Sequence, residues 1–211
     1  ANQSRANQSR ALISSGRAHL WLPLAAVMLL SGCISLGAKA PDSLLTLRAD
    51  ASPAVNSVRT GTAQSALMVQ VPSTPQMLRT TRVPVTSGGT ALAYVKDAQW
   101  VEPPARMFQR LLADTISARG ARLILHDSQD VTSTGEVLTG ELLAFGVDAD
   151  RNQVVVTYQA LRLSSEGGVI VQRRFEAREP IALVDASSTG AALNRAANRV
   201  ATEVAGWMEA P

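Results

Sequence analysis

The sequence predicts an α+β domain: a largely antiparallel sheet with a C-terminal meander and two amphipathic helices packed on it. Three observations carry this. Two segments, after Pro103 and after Ser187, place apolar residues at helical spacing. Three long runs between residues 137 and 177 are apolar and β-branched and are separated by turn residues. Shorter extended pieces precede the first helix, and strands and helices grouped in this way indicate α+β and not a regular βαβ repeat.

In chain order, residues 1–32 read as a lipoprotein signal peptide. Arg5, Arg10, Arg17 and His19 precede an apolar run, Leu20 to Leu30, which leads into Leu30-Ser31-Gly32-Cys33. That tetrad is a lipobox. Small residues ahead of the cysteine suit a peptidase that takes an extended chain, and the thiol of Cys33 is the expected site of covalent diacylglycerol and acyl chains. The run is too short, and too interrupted by Pro23, to span a bilayer core of about 30 Å. Ile34 and Ser35 follow the cysteine with no aspartate, which favours the outer membrane with the body facing the periplasm.

Charge supports this division. The chain has 20 basic and 17 acidic side chains, a formal charge of +3. The three arginines of the signal account for the whole excess, so the mature protein is formally neutral and a nucleic-acid partner is not expected.

Residues 33–65 read as the lipidated N-terminus and tether, rich in Ala, Ser, Thr and Pro. One short apolar stretch, Leu44 to Leu47, could add an edge strand. The domain is expected over 66–211. It opens with a strand at Leu67–Val71, closed by Pro72 and Pro75, and continues with extended pieces at 78–85 and 91–95 joined by Ser87-Gly88-Gly89-Thr90. The glycine pair lacks a P-loop lysine and reads as a turn. Pro103 and Pro104 start a helix whose apolar face is Met107, Phe108, Leu111, Leu112, Thr115 and Ile116, stopped by Gly120.

Arg122 to His126 forms a short strand. The meander runs through Val137–Val147, Val154–Leu163 and Val169–Ala177. In its last strand, Val169, Val171, Phe175 and Ala177 are expected on the buried face. Ser187, Ser188 or Thr189 caps a final helix with Leu193, Ala196, Val200, Val204, Trp207 and Met208 on one side.

The inventory for catalysis is thin. Cys33 is the single cysteine, which excludes an intramolecular disulfide and a Cys-rich zinc site, and the histidines are His19 and His126 alone. Asp127, Asp130, Asp148 and Asp150 fall in turns without the spacing of a calcium loop. No GxSxG turn is present. No enzyme, metal or cofactor is expected. Trp100, beside Pro103 and Pro104, reads as a core plug by default and as a partner contact in the sharper alternative.

The lipobox, the Leu44–Leu47 stretch and Tyr94-Val95-Lys96-Asp97-Ala98-Gln99-Trp100-Val101-Glu102-Pro103-Pro104 opening a helix together resemble the ABC-type transport auxiliary lipoproteins, over about residues 44–208. The resemblance implies a non-catalytic envelope lipoprotein that works with an MCE-domain protein, an ABC permease and an ATPase in lipid transport between inner and outer membranes. It also implies a ring of copies docked on a tubular MCE assembly, and it carries over Cys33 as the lipidated residue. Two readings from other classes stay open: a structural or assembly lipoprotein of another envelope complex, and a periplasmic lipid-binding carrier with an apolar pocket between sheet and helices.

Overall fold

The computed structural model describes residues 43–120, 122–126, 135–164 and 168–210. Leu30, Ser31, Gly32 and Cys33 lie outside the described residues, as do Asp127 and Asp130. Strands β1 (Leu67–Val69), β2 (Arg82–Ser87) and β3 (Ala91–Gln99) lead to helix α1 (Pro104–Arg119). Then come β4 (Ile124–His126), β5 (Glu136–Asp148), β6 (Gln153–Ser164), β7 (Ile170–Pro180) and helix α2 (Ala186–Glu209).

The meander is present as expected. β5 and β6 pair antiparallel from Glu136↔Ser164 to Asp148↔Gln153, and β6 and β7 from Gln153↔Pro180 to Leu163↔Ile170. The sheet is largely antiparallel, as expected, but the rest of it adds short parallel contacts and so makes it mixed. Along its other edge β5 is met in parallel first by β1, which also carries β4 in parallel, and then by β2, the inner strand of the β2–β3 hairpin. Each parallel pairing involves only two or three residues, too few to print the continuous apolar run that marks a parallel sheet in sequence.

Two glycines of β5 make these approaches feasible. A Cβ at Gly146 would lie 2.5 Å from the carbonyl oxygen of Pro84 on β2, and one at Gly140 (φ +145°) would lie 2.1 Å from that of Gln159 on β6. A register shift between Leu142 and Ala144 bends the strand further.

Both helices cover the same side of this sheet. α1 buries the predicted stripe and also Gln109, whose side-chain amide donates to the Val69 carbonyl at 2.8 Å, while Arg106, Arg110 and Asp114 stay exposed. α2 presents Ala192, Ala196, Ala197, Ala201 and Ala205, all fully buried, so backbone can approach backbone with little side-chain volume between. Phe108 meets Tyr158 edge-on at 5.3 Å, and the Tyr158 hydroxyl donates to the Thr139 carbonyl at 2.7 Å. Burial pushes that phenol well above its ordinary range. The large apolar side chains at this interface each contribute roughly 1.5–3 kcal/mol of burial.

Three local expectations change. α2 begins at Ala186, and its N-cap is Asp185, not a serine or threonine: Asp185 Oδ1 accepts from the Ser188 N–H and Oδ2 from the Ser188 hydroxyl, both at 2.8 Å. Val169 and Val171 are exposed, because Trp207, near the end of α2, packs on Phe175 at 5.7 Å and the helix reaches little further. Finally, residues 45–50 are docked, although they fall inside the stretch read as tether. The Arg48 N–H donates to Asn194 Oδ1, the Asp50 N–H to Asn198 Oδ1, and Asn198 Nδ2 to the Arg48 carbonyl, all at 2.8–2.9 Å. Leu45, Leu47 and Ala49 pack against the core.

Candidate functional site

Two regions can be built from these elements, one where both helices begin and one where both end. The helices run side by side in the same direction. Ile116, Arg119 and Gly120 at the end of α1 face the same cleft as Met208 and Glu209 at the end of α2. Leu45, which pairs with Trp100 just before α1, sits on Gly190 near the start of α2.

The first region contains the tryptophan-diproline stretch. In β3, Arg82 of β2 stacks over Tyr94 at 3.9 Å, and the chain then turns through Asp97 (φ +55°). Trp100 is 1% exposed and meets Phe145 edge-on at 5.5 Å. Its N–H donates to the Thr81 carbonyl, while Leu45 bonds to its neighbours: Leu45 N–H to Gln99 O and Val101 N–H to Leu45 O. The indole Nε1 is buried without a hydrogen-bond acceptor. Pro103 is half-buried at the N-cap position and Pro104 is buried at the first turn of α1. Glu102 pairs with Arg110, and that guanidinium holds its carboxyl below the usual range. What the stretch offers to solvent is Val101, 48% exposed.

The second region is an open cleft of about 500 Å³, lined by Arg122, Glu136, Arg162, Val169, Val171 and Trp207. Glu136, 7% exposed, accepts from the guanidinium groups of both Arg122 and Arg162, and Arg162 also donates to the Ala210 carbonyl at 2.9 Å. A nearly buried carboxylate with two cationic partners is compensated, and such a pair is mainly a device that fixes geometry. Arg59 ties the preceding segment to the same end by donating to the carbonyls of Ser117 and Gly120. Sequence reasoning missed Glu136 and its arginines. Glu136 and Arg162 stand near each other on the paired strands β5 and β6, whereas Arg122 comes from the segment before β4, so the cluster is legible only once the strand pairing is known.

The remaining candidates are structural. Asp148 pairs with Arg151 at 3.0 Å and Arg178 at 3.3 Å, and the Arg151 hydrogen bond keeps its pKa low. Asp150 accepts from the Gly88 N–H at 2.9 Å and so ties the β2–β3 turn to the β5–β6 turn. His126 closes β4 near Asp114, whose own pKa is raised by burial. Among the described residues no group of three His, Cys, Asp or Glu side chains converges as metal ligands would. The described helices include none long and apolar enough to cross a membrane.

The centre of the space between sheet and helices is filled. Phe108, Leu112, Val156, Tyr158, Ala197 and Val200 are all fully buried there. Clefts of about 500 and 600 Å³ open at the helix ends, and others lie beside Glu179 and Asn198 along α2 and over Gly140 on β5.

Comparison with known proteins agrees with this architecture. A protein of Xanthomonas campestris has a solved structure similar to this one, with a TM-score of 0.66 and 18% identity over 79% of this chain and 94% of that chain. A second solved structure, of an uncharacterized protein, gives 0.59 and 16% over 69% and 94%. At these identities the likeness concerns the fold. No curated protein matches the chain significantly. The family model of the ABC-type transport auxiliary lipoprotein component matches residues 45–205, from the docked Leu45 to the last turns of α2. The chain belongs to that family of transport auxiliary lipoproteins.

Proposed function

We propose that this protein is the non-catalytic auxiliary lipoprotein of an MCE/ABC-type system that moves lipid between the inner and outer membranes. In this reading lipidated Cys33 holds it in the outer membrane, facing the periplasm. The domain docks a periplasmic conduit formed by an MCE-domain protein, as a ring of copies, while a permease and an ATPase of the same system supply transport and energy.

The family match over residues 45–205 is the observation that carries the proposal. It covers nearly all of the described domain, which supports attaching the auxiliary role to this fold and not to an appended segment. Packing and charge pairing support a role by placement. The centre of the sheet–helix interface is occupied by fully buried side chains, the cleft beside Leu67, Ile116 and Met208 opens to solvent at the helix ends, and Glu136 with its arginines is a satisfied ion-pair cluster. The sequence holds no GxxxxGK[ST], so ATP hydrolysis falls to a partner.

The anchoring step is tested by Cys33→Ala in cells fed labelled palmitate. The native protein is expected to incorporate label and to sediment with outer-membrane fractions. The variant is expected to lose the label and leave that fraction. Equal label and equal sedimentation in the two proteins would contradict lipidation at Cys33.

A further inference from the structure

We infer that the pole where both helices begin is a membrane-seating surface, which rests on the lipid bilayer through Leu44, Val101, Leu183 and Val184. These side chains are 49%, 48%, 67% and 44% exposed. Their apolar character is unused within the described chain.

The fold gathers them round one place. Leu183 and Val184 immediately precede Asp185, the cap of α2. Gly190 lies five residues on, about 7.5 Å along the helix axis, and the Leu45 side chain is seated against it. Leu44 is the neighbour of Leu45, and the Val101 N–H donates to the Leu45 carbonyl at 2.9 Å. All four therefore surround the first turn and a half of α2.

The chain outside the described domain supplies the occupant. Residues 45–50 run along α2 from Gly190 past Asn194 to Asn198, so the polypeptide meets the domain at the helix start. Nine residues, 34–42, separate Cys33 from Ser43, which places a lipid on Cys33 within about 35 Å of Ser43 even at full extension. An anchor joined at this pole keeps the bilayer within reach of these four side chains, which surround the point where the polypeptide enters the domain. Apolar side chains held at a bilayer surface gain by leaving water for the boundary between headgroups and acyl chains. A lipid surface is therefore favoured over a second copy or a protein partner. The inference rests on the anchoring reading of Cys33.

The opposite pole provides an internal control. Val169 is 55% exposed and lines the cleft with Trp207 and Ala210, near the other end of a 24-residue helix about 36 Å long. It has the same chemistry as Val184 and a different address.

The test uses the full-length lipoprotein, purified from membranes and reconstituted into vesicles of phosphatidylethanolamine and phosphatidylglycerol. Val184→Cys and, separately, Val169→Cys carry an environment-sensitive nitrobenzoxadiazole label, and Leu183→Cys serves as a second reporter should Val184→Cys fold poorly. The readout is quenching by nitroxide-bearing lipid. Position 184 or 183 is expected to be quenched at least about twofold more than position 169, with a blue-shifted emission in vesicles. Equal quenching at the two poles, stronger quenching at 169, or a blue shift at 184 that lipid nitroxide does not quench would overturn the inference, the last because protein and not lipid covers the surface. Intact mass separates the two levels. A lipidated protein with an unquenched 184 label refutes the seating surface alone, whereas a protein without lipid on Cys33 refutes the anchoring reading and the inference with it.

Discussion

Trp100 shows how a single residue type supports two readings until its surroundings are known. A tryptophan beside two prolines reads in sequence as a core plug by default and as an interface anchor in the sharper alternative. Here Leu45 pairs alongside it and Phe145 closes over its ring, leaving 1% of it exposed. Trp100→Ala should therefore cost about 3–5 kcal/mol, as expected for truncating a buried aromatic side chain, and lower the thermal midpoint accordingly. Chemical denaturation of the purified variant checks this. An unchanged midpoint with weakened partner capture would instead assign Trp100 to an interface. Glu136 teaches the converse lesson. It attracts no attention in sequence, being one acid at the start of a strand, yet it gathers Arg122 and Arg162 into the most concentrated charge cluster at the helix-end pole.

At the scale of elements, stability depends on how each helix is started and covered. α2 is capped by Asp185, whose carboxylate is stabilised by the Ser188 backbone N–H and hydroxyl, and its pKa lies below the ordinary 3.8. A depressed carboxylate contributes stability that is fully present above its unfolded value and is lost as pH falls through the folded one. Asp185→Ala should thus lower the thermal midpoint at neutral pH, and the gap to the native protein should close as pH drops below 3.8. Thermal scans across that range read it directly, and a gap independent of pH would remove the carboxylate from the cap.

The long elements that were legible in sequence are those with a period, and the short strands β1 and β4 were legible as apolar pieces bounded by turn residues. α1, α2 and the β5–β6–β7 meander each repeat an apolar pattern over at least ten residues, and tertiary contacts reinforced it. Most of what escaped was pairing and docking. The parallel contacts of β1 and β2 with β5 last two or three residues, and residues 45–50 are fixed by backbone groups bonded to Asn194 and Asn198. Asparagines on a helix carry no mark that says which backbone they hold. Half of β7 escaped for a third reason: its alternation implied a buried face, but burial stops where α2 stops covering it, a property of the helix and not of the strand.

On the scale of the whole molecule, the two ends of the helix pair divide the work. The polypeptide joins the domain at the end where both helices start, and the cleft built on Glu136, Arg122 and Arg162 opens at the end where both finish. An anchored domain with this polarity can present its helix-end pole to a conduit while its helix-start pole faces the membrane. The family places the chain in ABC-type transport, and the proposed MCE partner makes that statement specific. The most direct test is to tag the full-length protein after Pro211, crosslink native membranes mildly, purify, and identify the attached proteins by mass spectrometry. The proposed role predicts an MCE-domain protein together with its permease or ATPase. Recovery of intact lipoprotein with envelope-assembly proteins and no component of such a transporter would contradict it.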